Sequence, residues 1–159
     1  LLLLGWIKRH PVPLFPSKFS MRYGLYTGGG LLFFGLTILL TWNGGSFFFY
    51  KLVYGAILIP LLEEPLFRGV IWQQWETGGN ETQALLFSTF LFGLWHIGYA
   101  DTILWRVGIF QPGVYVVEVL FWKVVTALLL GLLFGLARLK GKNVYPAFLL
   151  HCLINAYGI

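Results

Sequence analysis

The sequence predicts an all-α fold, a polytopic bundle of transmembrane helices with about five spans. Hydrophobic residues make up 58% of the 159 residues, only 11% are charged, and the mean hydropathy is +0.77. An average soluble domain has roughly 25% charged residues, and a chain of this length cannot bury so much apolar surface in one core. Aromatic residues reach 19%, and many stand near the ends of apolar runs, as expected for side chains at a membrane interface.

The apolar runs divide the chain into five segments, and a helix that spans a bilayer needs about 20 residues. The first three segments end at polar or glycine-containing breaks, over residues 43–46, 77–80 and 101–113. The last segment has Pro146 in its first turn, where proline is tolerated. We therefore expect spans over residues 24–42, 47–75, 82–99 and 114–139, and a final apolar stretch over residues 145–159.

These segments fall into two regions. Residues 1–46 contain a basic loop and the first span, and residues 47–159 contain a helical core. The chain begins with four leucines that look like the end of an earlier span, so we expect a fragment of a longer protein, truncated at its start.

The net charge of +5 is concentrated in two places. Basic residues cluster before the first span, and Arg138, Lys140 and Lys142 form a second cluster at the end of the fourth. Such clusters beside apolar helices mark cytoplasmic loops, which favours the lipid bilayer as a partner and not nucleic acid. The single cysteine, Cys152, excludes an intrachain disulfide and a cysteine-based metal cage. We expect a multi-pass integral membrane protein, located in the cell membrane.

Three charged residues, Glu63, Glu64 and Arg68, lie inside the second expected span. Each charge at the centre of an apolar helix costs about 2.5–3.5 kcal/mol on insertion scales, so the group must face protein or a wet cavity. Glu64 and Arg68 are four residues apart and share a helix face, which allows an ion pair. Pro60 and Pro65 flank the glutamates and are expected to kink the helix. Glu63 is left without an obvious structural partner.

Other apolar segments also carry polar residues. His96 lies in the third, and His151 and Asn155 lie four residues apart in the last. A glutamate and a histidine can activate a water, and a histidine and an asparagine can donate hydrogen bonds to an oxyanion. Two histidines and a glutamate can instead bind zinc. Either histidine alone is equally well explained as a hydrogen-bonded packing residue.

The order and spacing of these residues resemble the CPBP family, the CAAX-protease and bacteriocin-processing intramembrane proteases, also called the Abi family. The resemblance covers the chain from about Phe47 to the C-terminus, so residues 47–159 would form the catalytic core. Its three motifs are Glu-Glu-x-x-x-Arg, Phe-x-x-x-His and His-x-x-x-Asn. The matching residues are Glu63, Glu64 and Arg68, then Phe92 and His96, then His151 and Asn155.

The resemblance implies an intramembrane endopeptidase of the glutamic type, acting on a peptide or protein substrate in or near the membrane or on its C-terminus. Glu63 with His96 would activate the attacking water, and His151 with Asn155 would form the oxyanion hole. Glu64 and Arg68 would be supporting residues that hold the first motif in shape.

The sequence does not decide whether the protein uses a cofactor. No cofactor is certain, and a divalent metal such as zinc is possible. If the enzyme depends on a metal, Glu63, His96 and His151 are the candidate ligands.

Two other functions are compatible with the sequence. Bacterial relatives of the family are associated with bacteriocin self-immunity, so the chain could act by binding rather than by proteolysis. A transporter or proton relay could use the intramembrane carboxylates, although the sequence shows no inverted repeat.

Overall fold

The computed structural model describes residues 11–41, 45–99 and 115–157. Within these ranges the chain contains helices and no strand, which confirms the all-α prediction. The N-terminal part of the basic cluster, the break at 42–44, the connector over 101–113 and residues 158–159 lie outside the described residues. The helices are α1 (Met21–Thr41), α2 (residues 45–78), α3 (Glu81–Trp95, followed by a 3₁₀ turn over His96–Tyr99), α4 (Val116–Gly141) and α5 (Tyr145–Tyr157).

Two of these helices are long and apolar enough to cross a membrane. They cover Met21–Leu40 and Val116–Gly141. Only 6% of the first of these windows is buried inside the molecule, so most of α1 presents leucine and aromatic side chains outwards. A helix that is apolar on its outer faces suits a lipid environment.

The long helix α2 contains two π-helical segments, over Tyr54–Leu58 and Pro65–Ile71. The backbone N–H of Ile59 donates to Tyr54 O, five residues back. Pro60 has no N–H to give to Gly55 O, and this carbonyl is therefore released from the helix ladder. The expected effect of the prolines thus takes the form of π segments in a helix that continues past them, and such segments are frequent at functional sites.

Small residues let α3 and α4 approach closely. A Cβ atom at Gly135 would lie 2.3 Å from Leu85 Cδ1, and one at Gly131 would lie 3.1 Å from Phe92 Cδ1. Gly131 and Gly135, four residues apart, therefore allow the two helices to pack closely. The main core cluster lies between these helices, α2 and α5, and its fully buried members are Phe67, Phe92, Ala127, Phe134 and Ala147.

Three connecting segments meet at one end of the bundle. The backbone N–H of Val144, after α4, donates to Pro13 O at 2.9 Å in the segment before α1. Lys142 forms an ion pair with Glu81, which begins α3 after its N-cap residue Asn80. Arg22, in the first turn of α1, therefore lies at the same end of the bundle as the basic residues that end α4.

Candidate active site

The two adjacent glutamates of α2 point in different directions. Glu64 is completely buried, and its Oε1 lies 2.8 Å from His151 Nδ1, where an imidazole N–H donates to the carboxylate. Its Oε2 lies 3.5 Å from Arg68 Nε, an electrostatic contact that is longer than a good hydrogen bond. Glu64 thus links the first motif of α2 to the histidine of α5.

Arg68 is also fully buried and is held on several sides. Its Nη2 donates to Gly131 O in α4 at 2.8 Å, and its guanidinium lies 4.3 Å from the centroid of the Phe92 ring. Aromatic faces attract cations of this kind, and Phe134 and Phe67 lie slightly farther away, at 5.5 and 5.9 Å. Arg68 therefore ties α2 to α3 and α4 and supplies the charge opposite Glu64.

Glu63 makes a different set of contacts. Its Oε1 accepts hydrogen bonds from Trp95 Nε1 at 2.9 Å and from the Tyr99 hydroxyl at 3.2 Å. Its Oε2 lies 4.0 Å from His151 Nε2. One carboxylate oxygen is thus fixed by two neutral donors, and the other has room for a further partner such as a water molecule.

His96 lies just after α3, in the 3₁₀ turn. Its Nδ1 lies 2.8 Å from Phe92 O. A carbonyl oxygen only accepts, so Nδ1 carries the proton in this hydrogen bond, and Nε2 of the neutral ring is an acceptor. The backbone of α3 therefore selects the tautomer that a general base needs.

His151 and Asn155 occupy one face of α5. The His151 ring stacks on Phe134, with centroids 4.5 Å apart and planes at 21°, which fixes its orientation together with Glu64. Asn155 Nδ2 donates at 2.9 Å to Gly55 O, the carbonyl released by the first π segment. The amide carries a second N–H on the same nitrogen, so it can also donate to another acceptor.

A cavity of about 560 Å³ brings the candidate catalytic residues together. All four residues predicted to be catalytic line it, namely Glu63, His96, His151 and Asn155. The described lining does not include Glu64 or Arg68, the two predicted supporting residues. The volume falls within the range of about 300–1,000 Å³ that is usual for ligand pockets.

The candidate metal ligands do not fit a metal site in this arrangement. Among the described residues, no group of three or more His, Cys, Asp or Glu side chains is placed to hold a metal ion. Nδ1 of His96 is hydrogen-bonded to a carbonyl, Nδ1 of His151 to Glu64, and Glu63 Oε1 to two donors, so the atoms left to bind an ion are the two Nε2 atoms and Glu63 Oε2.

Sequence analysis missed several residues that complete the site. Trp95 and Tyr99, which donate hydrogen bonds to Glu63, stand one residue before and three residues after His96 in the sequence. Buried Trp and Tyr side chains usually donate to a polar partner such as a carboxylate. That proximity was the available clue. Lys123 lines the cavity from α4, and the available clue was a lysine within an apolar span.

Arg138 is a further residue whose role the sequence did not reveal. It was assigned only to a basic loop, yet it is buried and its Nε donates to Arg68 O at 3.1 Å. This carbonyl lies in the second π segment, where the Trp72 N–H donates to Phe67 O and Gly69 O instead. Arg138 therefore replaces a missing backbone donor, as Asn155 does at the first π segment.

Comparison with protein-family models finds a match over residues 45–157 to the family described as Rce1-like, type II CAAX prenyl endopeptidase Rce1-like. The matched region contains α2 to α5 and every candidate site residue. Comparison with curated proteins and with solved structures gave no match.

Proposed function

The chain belongs to the Rce1-like family of type II CAAX prenyl endopeptidases, and from that premise we propose that it is an intramembrane endopeptidase using a Glu/His-activated water. The family predicted from the three motifs is thereby confirmed. It is a family of membrane-embedded proteases, which implies a peptide substrate. The proposal also covers the role of each site residue, the contacts of the helices with the bilayer and the number of spans.

The observation that carries this proposal is the composition of one cavity. A carboxylate, two imidazoles and an amide, from α2, from the turn after α3 and from α5, line a single space between the helices. Three elements far apart in the sequence contribute to it, and each polar group has a hydrogen-bond partner that fixes its orientation. Such preorganised donors and acceptors suit peptide hydrolysis.

In the proposed reaction, Glu63 Oε2 accepts a proton from a water molecule, and His96 Nε2 accepts a hydrogen bond from the same water. The water oxygen forms a bond to the carbonyl carbon of the scissile peptide. The electron pair moves to the carbonyl oxygen, which accepts hydrogen bonds from Asn155 Nδ2 and from His151 Nε2, the latter in the doubly protonated form of the ring. The C–N bond then breaks, and the proton held by Glu63 passes to the leaving amine nitrogen.

We place the site within a multi-pass bundle of about five spans in the cell membrane. The two helices that meet the length and hydropathy requirements, together with the outward apolar faces of α1, support this placement. The substrate would then reach the cavity from the bilayer or from the membrane surface.

The test compares membranes that carry the wild-type chain with membranes that carry Glu63→Gln, by mass spectrometry of newly generated peptide termini. The matched control is Glu118→Gln, the same chemical change at an exposed residue in the first turn of α4. We expect termini that are present with wild type and Glu118→Gln and absent with Glu63→Gln. Identical termini in all three membranes, with the proteins equally inserted, would contradict proteolysis and favour a binding role such as bacteriocin immunity.

A further inference from the structure

Thr126 is a polar residue of the cavity wall that the proposed reaction does not use. It lies in α4 four residues after Trp122, and both residues are exposed and line the cavity. Residues four apart on a helix share one face, so Trp122 and Thr126 form part of the rim by which the cavity is reached. A substrate that enters there can contact the Thr126 hydroxyl.

Two contacts of α4 place Thr126 level with the candidate catalytic groups. Lys123 Nζ lies 5.2 Å from the centroid of the Tyr99 ring, and Phe134 stacks on His151. Thr126 lies between these two positions along the helix axis, about 4.5 Å after Lys123 and about 12 Å before Phe134. Because Tyr99 and His151 contact the proposed catalytic glutamate from two sides, Thr126 lies at the height of that glutamate.

The packing of the helices puts Thr126 across the cavity from Glu63. The helices α3 and α5 each pack against both α2 and α4, so the cavity has α2 on one side and α4 on the other. Glu63 lines it from α2 and Thr126 from α4. A peptide bound between them has the attacking water on one side and the Thr126 hydroxyl on the other.

The hydroxyl of Thr126 is not used within the fold. Thr27 and Thr37 each donate to the carbonyl oxygen four residues before them, as threonines inside helices commonly do. Among the described residues, the Thr126 hydroxyl has no hydrogen-bond partner. Thr89 also lacks one, but its hydroxyl is buried outside the described lining of the cavity. Thr126 therefore keeps its capacity to donate and to accept where a substrate can reach it.

A peptide substrate needs partners of this kind. To be cut, it must expose its backbone in a largely apolar cavity, where each backbone N–H or C=O without a hydrogen bond is costly. Among the described lining residues, two carry a hydroxyl, and that of Tyr99 already donates to Glu63 Oε1. The hydroxyl of Thr126 is the one left to bind the substrate backbone.

We propose that the Thr126 hydroxyl binds a backbone peptide group adjacent to the scissile bond and so positions the substrate between α4 and Glu63. This inference rests on the proposed proteolytic function. The contact forms when the substrate binds and persists in the transition state. An interaction of this kind lowers KM and leaves kcat unchanged.

The test follows cleavage of an S-farnesylated peptide that ends in Cys-Val-Ile-Met by wild type, Thr126→Val and Thr126→Ser. Valine keeps the shape of threonine without the hydroxyl, whereas serine keeps the hydroxyl. A neutral hydrogen bond corresponds to about fivefold in affinity, so Thr126→Val should raise KM about fivefold with unchanged kcat, and Thr126→Ser should stay within about twofold of wild type. The matched control, Thr37→Val, removes a hydroxyl that donates within α1 and should keep both wild-type constants.

Two ester analogues of the peptide separate a substrate contact from a structural role. The masses of the products identify the bond that is cut, and each analogue has an ester in place of the backbone amide on one side of that bond. An ester lacks the N–H and is a weaker acceptor. For at least one analogue, we expect the ratio of the ester KM to the amide KM to be about fivefold larger in wild type than in Thr126→Val, where the hydrogen bond is already lost.

The remaining outcomes separate this inference from the function on which it rests. A wild-type KM in Thr126→Val would overturn the assignment of Thr126 while proteolysis stands. Equal ester-to-amide ratios in wild type and Thr126→Val, for both analogues, would do the same, because a structural effect acts equally on all three peptides. If wild type does not cleave the amide peptide, the proposed function fails for this substrate class, and the inference fails with it.

Discussion

Glu63 and Glu64 are neighbours in the chain, are almost equally buried at 5% and 0% exposure, and lie in opposite kinds of environment. Glu64 is packed between an arginine and a histidine behind the cavity wall. Glu63 faces the cavity and is held by two neutral donors on one oxygen. Successive residues of a helix point about 100° apart, so a single helix can place one carboxylate in the scaffold and the next in the site.

The difference lies in how each charge is compensated. Glu64 has a counter-charge in Arg68, and Arg68 is in turn fixed by Gly131 O and the Phe92 ring. The described hydrogen bonds of Glu63 leave Oε2 facing His151 at 4.0 Å, with space for a reactant. Burial by itself therefore does not identify the functional carboxylate, whereas the partners of each oxygen do.

The largest expected effect is the contrast between two single variants, in which the same substitution is made separately at Glu63 and at Glu64. Glu63→Gln should lower turnover on the order of 10²–10⁴-fold, the usual contribution of a general base, with little change in thermal unfolding in detergent. Glu64→Gln should destabilise the protein by about 3–5 kcal/mol, because it leaves the buried Arg68 without its counter-charge.

Two measurements on each variant check this contrast. They are the turnover number per folded molecule and the temperature of thermal unfolding. Equal losses of stability at the two positions would show that both glutamates belong to the scaffold. Full activity in Glu63→Gln would remove it from the reaction.

Asn155 lines the cavity and also binds the backbone of α2, so its substitution should lower both turnover and stability. Asn155→Ala removes one donor from the proposed oxyanion hole, which costs about 10²–10³-fold in kcat. It also leaves Gly55 O without its side-chain donor, at about 1–3 kcal/mol. Single-turnover kinetics and thermal unfolding of the same sample separate the two losses. A variant that is destabilised but retains wild-type kcat would assign Asn155 to the first π segment alone.

The sequence was sufficient to predict the helices, and to identify four polar residues that line one cavity, for a physical reason. Charges in apolar helices are expensive, so Glu63, Glu64 and Arg68 stand out in a chain with 11% charged residues. The expected spans agree with the described helices to within a few residues at each end. The i, i+4 spacing also placed Glu64 beside Arg68 correctly.

The rest depended on contacts between helices, which spacing cannot reveal. Nothing in the sequence indicates that Arg138 reaches the Arg68 carbonyl, because the carbonyl is available only where a π segment disrupts the helix ladder. The hydrogen bonds of Trp95 and Tyr99 to Glu63 likewise depend on how α2 packs against the turn after α3. Local pattern thus identified the polar groups, and packing assigned their partners.

A smaller effect is expected at Tyr99, which holds the cavity-facing glutamate. Tyr99→Phe removes one of the two hydrogen bonds to Glu63 Oε1 and keeps the aromatic ring beside Lys123. The loss should be about 1 kcal/mol, or roughly fivefold in kcat, with KM unchanged because the aromatic ring stays in place. Steady-state kinetics check this, and a change confined to KM would instead make the hydroxyl a substrate contact.

Metal removal is expected to have the smallest effect on turnover. The experiment also tests whether Glu63 acts on water directly. A metal ion bound by Glu63, His96 and His151 would have to use Glu63 Oε2 and the two Nε2 atoms, and among the described residues no three such side chains are placed to hold an ion. We therefore propose that hydrolysis needs no divalent metal, and we expect unchanged turnover after prolonged treatment with a chelator followed by gel filtration. Loss of turnover that added zinc restores would contradict this.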